Sequence, residues 1–230
     1  MLLTGSLIFY EMTVFDLDDT LFKERDFVTS SFRVIAREAD RRGIISYEKA
    51  LAILCAGRYG GMAFSSLAEE VAARAPGCGL TEEWMVNTYR THTPDIKLDD
   101  ATESVLAALR ERGETLGLIT DGRSNTQRAK IKALGLERFI EPRNILVSGE
   151  TGFDKTHREP FDMIMMRNPA ERRYVYVGDN SAKDFIWPNK LGWLTVQLDD
   201  ADGVNIHPQS SDRPAAFLPQ RHIGSLSQLL

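Results

Sequence analysis

The chain has 230 residues, of which 43% are hydrophobic and 27% charged, and its formal net charge is −5. These values are ordinary for a soluble globular protein that buries a substantial core. The negative charge gives no support to nucleic-acid binding, and no apolar run is long enough to span a bilayer. Cys55 and Cys78 are isolated thiols without metal-site spacing, so a cytoplasmic location is expected.

The first predicted element is a short strand over residues 12–15, where the residues are apolar and favour β structure. It breaks abruptly into three carboxylates within four positions, Asp16, Asp18 and Asp19. Carboxylates this close repel one another and need cations or hydrogen-bond donors. Mg²⁺ is the usual cation there, because it is hard and takes oxygen ligands. Taken alone, the same residues also fit a polar loop whose aspartates cap a turn.

Residues 22–94 show helical periodicity and no strand signal. We predict four helices, with Ser46 as the N-cap of the second and Thr81 as the N-cap of the fourth. Gly57, Gly60 and Gly61 separate the second helix from the third, which is predicted over residues 62–75. We therefore predict a helical domain over residues 22–94, inserted into a core made of residues 1–21 and 95–230.

From residue 99 onward, helices and strands alternate. Strands are predicted over residues 115–120, 144–148, 174–177 and 194–198. Helices are predicted from residue 99 to Gly113 and over residues 124–134, 160–167 and 181–191. A loop over residues 199–219 and a short closing helix over residues 223–230 complete the chain. This alternation predicts an α/β fold, a Rossmann-like parallel sheet with helices on both faces.

Polar residues follow four of the predicted strands. Asp16 and Asp18 follow the first strand, and Thr120-Asp121-Gly122 follows the second. Lys155 lies in the loop after the third strand. The fourth strand is followed by Gly178-Asp179-Asn180 and, shortly after, by Asp184. Parallel sheets bind ligands outside the carboxyl ends of their strands. We therefore expect these clusters to converge at one edge of the sheet.

These four motifs, in this order, resemble those of the haloacid dehalogenase (HAD) superfamily, in the phosphatase branch with a helical cap inserted after the first motif. The resemblance covers residues 12–198. It implies that Asp16 is a nucleophile that forms an aspartyl phosphate, and that Asp18 is the general acid and base. It further implies Mg²⁺ held by Asp16, the Asp18 carbonyl and Asp179, with Asp184 in support.

The resemblance also implies that phosphate is bound by the Thr120 hydroxyl, by the backbone N–H groups of Asp121 and Gly122, and by Lys155. The chain departs from the family pattern at two points. Lys155-Thr156-His157-Arg158 replaces the frequent Lys-Pro-Asp-Pro, and Asp121 replaces an Asn or Ser, which adds negative charge beside the phosphate. Arg58 and Tyr59, in the glycine-rich break, are candidate specificity residues. The four histidines show no ligand spacing.

The leading hypothesis is thus a Mg²⁺-dependent phosphatase that acts on a small phosphorylated metabolite, with the helical insert closing over the site. Its oligomeric state cannot be read from the sequence. A metal-independent 2-haloacid dehalogenase is an alternative, which Asp18 and Asp179 argue against, and a phosphomutase is another. A receiver-like phospho-aspartate switch, about half this length, and a degenerate binding module are the non-enzymatic alternatives.

Overall fold

The computed structural model describes residues 11–57 and 62–230. Arg58 and Tyr59 lie outside the described residues, as do residues 1–10 of the predicted core. The centre of the fold is a six-stranded parallel sheet in the order β3-β2-β1-β4-β5-β6. Its strands are β1 (Met12–Phe15), β2 (Thr115–Thr120), β3 (Ile145–Val147), β4 (Tyr174–Gly178), β5 (Leu194–Leu198) and β6 (Arg221–Ile223).

Both faces of the sheet are covered, which explains why β1, β3 and β4 are nearly continuous apolar runs. On β1 and β4 the buried side chains alternate between the two faces. Phe15, Val175 and Val177 belong to one core cluster, whereas Val14 and Tyr176 belong to the other. The α/β class and the layered arrangement predicted from the sequence are therefore confirmed.

The described helices are arranged around this sheet. They are α1 (Glu24–Arg41), α2 (Tyr47–Ala56), α3 (Met62–Arg74), α4 (Glu82–Thr91), α5 (Asp100–Glu111), α6 (Ser124–Ala133), α7 (Ser148–Thr151), α8 (Glu159–Arg167) and α9 (Ile186–Lys190). Short 3₁₀ helices occupy Leu136–Arg138, Pro142–Asn144, Ala215–Phe217 and Leu226–Leu229.

Helices α1 to α4 follow β1 directly and share a hydrophobic cluster of their own, which includes Phe32, Leu54 and Leu67. The two predicted N-caps are present: Ser46 Oγ accepts from Lys49 N at 3.4 Å, and Thr81 Oγ1 accepts from Trp84 N at 3.2 Å. Helix α1 begins earlier than its apolar periodicity indicates. The division into domains at residues 22 and 94 stays a prediction.

Two predicted helices are wrong in extent. The helix predicted over residues 181–191 exists only as α9, because the Asn180 side chain accepts from Ala182 N at 2.9 Å and forms a turn there. The closing helix predicted over residues 223–230 is instead the end of β6 followed by a 3₁₀ turn. Strand β6 pairs with β5 and extends the sheet to six strands, a pairing that its three residues do not reveal in isolation.

Among the described residues, no helix combines the length and apolar character that crossing a membrane requires. Cys55 is exposed, Cys78 is partly buried, and both are free thiols.

Candidate active site

The predicted polar clusters converge where the strand order reverses. Strand β1 lies between β2 and β4: the chain adds β2 and β3 on one side of β1, then crosses over and adds β4, β5 and β6 on the other. At its carboxyl end is a cavity of about 100 Å³. The cavity is lined by Asp16, Asp18, Asp19, Glu24, Asp121, Asp179, Asn180, Lys183 and His207. This is the position at which parallel α/β sheets bind ligands.

Asp16 is held in place at the end of β1. Its backbone N–H donates to Val177 O at 2.9 Å, which continues the β1–β4 ladder by one residue. Its Oδ1 accepts from the Leu17 N–H at 2.7 Å and lies 2.7 Å from Lys155 Nζ. Burial raises the pKa of Asp16 to about 7, and the Lys155 charge opposes this rise. The predicted nucleophile and the predicted lysine are therefore in direct contact.

Lys155 is fully buried between two carboxylates, because its Nζ also lies 2.6 Å from Asp184 Oδ1. Burial alone would lower the pKa of Lys155, but Asp16 and Asp184 hold that pKa well above its usual range. The lysine is therefore a fixed positive charge beneath the predicted nucleophile.

One group of three buried acids could hold a metal ion in the described part of the chain, and it consists of Asp16, Asp179 and Asp184. One carboxylate oxygen from each lies within 4.8 Å of the other two. Burial, reinforced by Asp184 and Asp16, raises the pKa of Asp179 to about 9. Lys155 alone therefore does not compensate the negative charge of the three carboxylates.

These residues fit a hard divalent cation. Within the described part of the chain, Asp16 Oδ2 and Asp179 Oδ1 have no hydrogen-bond partner, whereas Asp184 Oδ1 lies 2.6 Å from Lys155 Nζ as an ion pair without a hydrogen bond. Asp184 Oδ2 accepts from the Asn180 N–H at 2.8 Å. Oxygen donors in a buried pocket with excess negative charge are what Mg²⁺ requires. Asp16 and Asp179 thus have a carboxylate oxygen available for a cation, while Asp184 pairs with Lys155. The predicted division into direct ligands and a supporting residue stays a prediction.

Gly178 is required for this close approach. A Cβ atom on Gly178 would lie 2.5 Å from Asp184 Oδ2, far inside van der Waals contact. The glycine therefore lets Asp184 pack against the end of β4 and reach Lys155.

Asp18 lines the cavity, and its carboxylate contacts two residues of α6. Its Oδ1 lies 2.6 Å from Lys130 Nζ, and its Oδ2 accepts from Gln127 Nε2 at 2.9 Å. The same amide donates to Thr120 Oγ1 at 2.6 Å. Because an amide N–H can only donate, Thr120 accepts this bond and its own hydroxyl proton stays free to donate. Gln127 thus links the first predicted motif to the second.

The two departures from the family pattern compensate each other. Asp121 Oδ1 accepts from the backbone N–H of Lys155 at 3.1 Å, so it secures the loop that lacks the usual prolines. Its added negative charge faces Lys183 Nζ at 3.2 Å. The Gly122 N–H donates to Ser148 Oγ at 2.9 Å, so a phosphate contact from this group would have to replace that bond. The substrate-binding roles of Asp121 and Gly122 stay predictions.

Six residues of the site were not predicted: Glu24, Gln127, Lys130, Lys183, Asn205 and His207. Burial and the neighbouring Asp18 raise the pKa of Glu24 to about 7, against the opposing charge of Lys130. Asn205 Nδ2 donates to Asp179 Oδ2 at 3.0 Å, and His207 borders the cavity. Both belong to the predicted loop over residues 199–219. No spacing in the sequence indicated that this loop returns to the site.

Comparisons with known proteins agree with this geometry. A model of the haloacid dehalogenase-like hydrolase family matches residues 13–196. A glyceraldehyde 3-phosphate phosphatase from Methanocaldococcus jannaschii is 29% identical over 192 residues, which cover 80% of this chain and 83% of the relative.

Two solved structures share the fold. The magnesium-bound putative HAD-hydrolase YfnB from Bacillus subtilis aligns over 96% of both chains, with a TM-score of 0.63 and 21% identity. A 2-haloacid dehalogenase from Pseudomonas syringae pv. Tomato DC3000 also aligns over 96% of both chains, with a TM-score of 0.57 and 20% identity. At these identities the likeness concerns the fold alone. Because the family model spans most of the chain, this protein belongs to the haloacid dehalogenase-like hydrolases.

Proposed function

We propose that this hydrolase is a Mg²⁺-dependent phosphatase that cleaves a small phosphate monoester through an aspartyl phosphate on Asp16. The observation that carries the proposal is the arrangement of Asp16, Asp179 and Asp184 around Lys155 at the carboxyl end of β1. A phosphoryl group needs a positioned nucleophile and fixed positive charge, and this arrangement offers both.

In the proposed reaction, an oxygen of Asp16 attacks phosphorus, the bond to the leaving oxygen breaks, and an acyl phosphate forms. Water then attacks phosphorus, the bond from phosphorus to the Asp16 oxygen breaks, and inorganic phosphate leaves as the carboxylate is restored. Lys155 Nζ lies 2.7 Å from Asp16 Oδ1 and keeps this carboxylate in place. When bound, Mg²⁺ would neutralise charge on the nucleophile and on the transferring group. Asp16 and Asp179 would hold it, with the Asp18 carbonyl as a third ligand.

Asp18 would donate a proton to the leaving oxygen and later take one from the attacking water. In the present arrangement both of its carboxylate oxygens are held, by Lys130 and Gln127. Proton transfer therefore requires Asp18 to exchange one of these contacts for substrate. The free proton of the Thr120 hydroxyl would donate to a phosphate oxygen, while Gln127 keeps that hydroxyl in orientation.

The substrate class follows from size and from relatives. The cavity of about 100 Å³ is below the usual size of ligand pockets, which favours a small substrate, and the M. jannaschii relative is named for glyceraldehyde 3-phosphate. Helices α1 to α4 would act as a cap that excludes water from the phosphoryl group, with Arg58 as a candidate substrate contact. The cytoplasmic location stays a prediction.

The test is hydrolysis of p-nitrophenyl phosphate and glyceraldehyde 3-phosphate by the purified chain, with Mg²⁺ or with EDTA. We expect activity with Mg²⁺ and its loss in EDTA. Asp16→Asn should reduce kcat by roughly a thousandfold or more, because the nucleophile is removed. Asp26→Asn, an exposed acid on α1, is the matched control and should keep full activity.

Unchanged turnover in Asp16→Asn would refute the covalent mechanism. The alternatives have separate signatures in the same preparation. Halide release from chloroacetate in EDTA would indicate a dehalogenase. Phosphate transfer within a sugar bisphosphate would indicate a mutase, and an aspartyl phosphate that persists without turnover would indicate a phospho-switch.

A further inference from the structure

The segment over residues 199–210, which follows β5, returns to the cavity and contacts Asp179 twice. Asn205 Nδ2 donates to Asp179 Oδ2 at 3.0 Å, and Gln209 Nε2 donates to the Asp179 backbone carbonyl at 2.9 Å. The first of these bonds occupies one carboxylate oxygen. It leaves Oδ1 as the oxygen of Asp179 without a partner among the described residues.

The amide of Asn205 is itself fixed. Lys23 Nζ donates to Asn205 Oδ1 at 2.9 Å. Because an ammonium group has donors only, it orients the carbonyl oxygen of the amide toward Lys23 and the NH₂ group toward Asp179. Lys23 therefore donates to the Asn205 side chain, and the Asn205 side chain donates to Asp179.

The backbone around Asn205 is fixed as well. The carboxylate of Asp200 accepts from Val204 N at 3.0 Å and from Asn205 N at 2.9 Å. The next residue, Ile206, donates its N–H to Asp19 Oδ2 at 3.0 Å and packs against the cluster formed by α1 to α4. Asn205 thus cannot swing away from Asp179 without breaking contacts on both sides.

We propose that Asn205 is a positioning residue that turns Oδ1 of Asp179 toward the divalent cation, and that Lys23 keeps its amide in the required orientation. The inference rests on the proposed function. A carboxylate ligand with one oxygen tied by a hydrogen bond loses less rotational freedom on binding a cation. Partners of this kind are worth roughly 10–100-fold in metal affinity.

The experiment is a calorimetric titration of Mg²⁺ into the full chain, with no substrate present. Asn205→Ala should raise the Kd for Mg²⁺ by roughly tenfold or more. Asn87→Ala, an exposed amide on α4, is the matched control and should bind Mg²⁺ as the wild type does. Circular dichroism and the melting temperature show that each variant is folded at the temperature of titration.

Lys23→Met gives a second and sharper test, because the loss of charge and the release of the Asn205 amide are expected to change the Kd for Mg²⁺ in opposite directions. Loss of a nearby positive charge would by itself tighten binding of a dication. Release of the amide should weaken it, and we expect a raised Kd, by a smaller factor than for Asn205→Ala. In the double variant the Kd should be no higher than that of Asn205→Ala alone, since the amide that Lys23 orients is already absent and only the charge effect remains.

An unchanged Kd in folded Asn205→Ala, or tighter binding in Lys23→Met, would overturn the inference and leave the proposed phosphatase intact. If the wild type binds no Mg²⁺ in the titration, both this inference and the proposed metal requirement fail. Phosphatase assays of the same samples show whether a wild type that binds no Mg²⁺ is still an active phosphatase.

Discussion

At the scale of single residues, Gly178 shows how tightly the site is packed. A methyl group there would meet Asp184 Oδ2 at 2.5 Å, and this oxygen belongs to a buried carboxylate that cannot move into solvent. The glycine therefore has a packing role that its sequence neighbours alone do not reveal.

We expect Gly178→Ala to destabilise the protein by about 1–3 kcal/mol, as overpacking usually does, and to weaken Mg²⁺ binding by displacing Asp184. Urea unfolding and Mg²⁺ titration measure the two effects. Gly224→Ala is the control, because the nearest atom to its Cβ would be Gln228 Oε1 at 3.8 Å. Equal effects of the two substitutions would contradict the packing argument.

The charge of Lys155 is expected to contribute to the stability of the protein. Lys155→Met leaves Asp16 and Asp184 buried without their shared cation, and breaking buried pairs of this kind costs about 3–5 kcal/mol. In EDTA at pH 7 we expect a loss of unfolding free energy of about that size, and a smaller loss at pH 5, where Asp16, whose pKa burial raises to about 7, takes up a proton. Lys132→Met, at an exposed position on α6, should leave stability unchanged. A stability loss that does not depend on pH would show that charge is not the cause.

At the scale of elements, the entry into α1 is organised by a residue outside the helix. Lys23 stands at the N-cap but makes no side-chain cap, and Asp19 Oδ1 instead accepts from the Glu24 N–H at 2.9 Å. Asp19 also has a φ of 56°, a left-handed conformation that Asn and Asp tolerate better than Ala. Its other oxygen accepts from Ile206, so one side chain joins β1, α1 and the segment over residues 199–210.

Asp19→Ala should therefore cost about 2 kcal/mol of stability, from the lost cap and the strained φ together. Asp19→Asn keeps the tolerance for this φ and one acceptor oxygen, so it should cost clearly less. Denaturant unfolding of both variants gives the comparison. If the two variants lose equal stability, neither the cap nor the backbone conformation explains the role of Asp19.

At the scale of the whole molecule, the site makes stability depend on pH and on metal. The pKa values of Asp16 and Glu24 are raised to about 7 and that of Asp179 to about 9, so the folded state binds protons more tightly than the unfolded state. These groups favour folding below their ordinary pKa values, near 4. Their contribution is lost progressively as the pH rises through 7 and 9.

In EDTA we therefore expect the free energy of unfolding to fall between pH 5 and pH 9. Bound Mg²⁺ would replace the protons, so the stabilisation by about 5 mM Mg²⁺ should grow over the same range. Urea unfolding at several pH values measures both trends. Asp179→Asn should flatten the pH dependence and remove most of the Mg²⁺ effect, whereas a flat profile in the wild type would contradict the pKa argument.

The sequence by itself determined the motifs and the class of fold. Runs of β-favouring residues before Asp16, Thr120 and Asp179 predict strands, and alternation with helices places their ends together, because all strands of a parallel sheet point the same way. This local information was enough to bring Asp16, Lys155 and Asp179 to one site.

Only the tertiary structure decided what surrounds these motifs. The contacts of Gln127 and Lys130 with Asp18, and of Asn205 with Asp179, join residues more than twenty positions apart. Strand β6 has three residues and exists because β5 offers it a partner. Hydrogen bonds across the fold depend on where loops return, and no local propensity or periodicity records that.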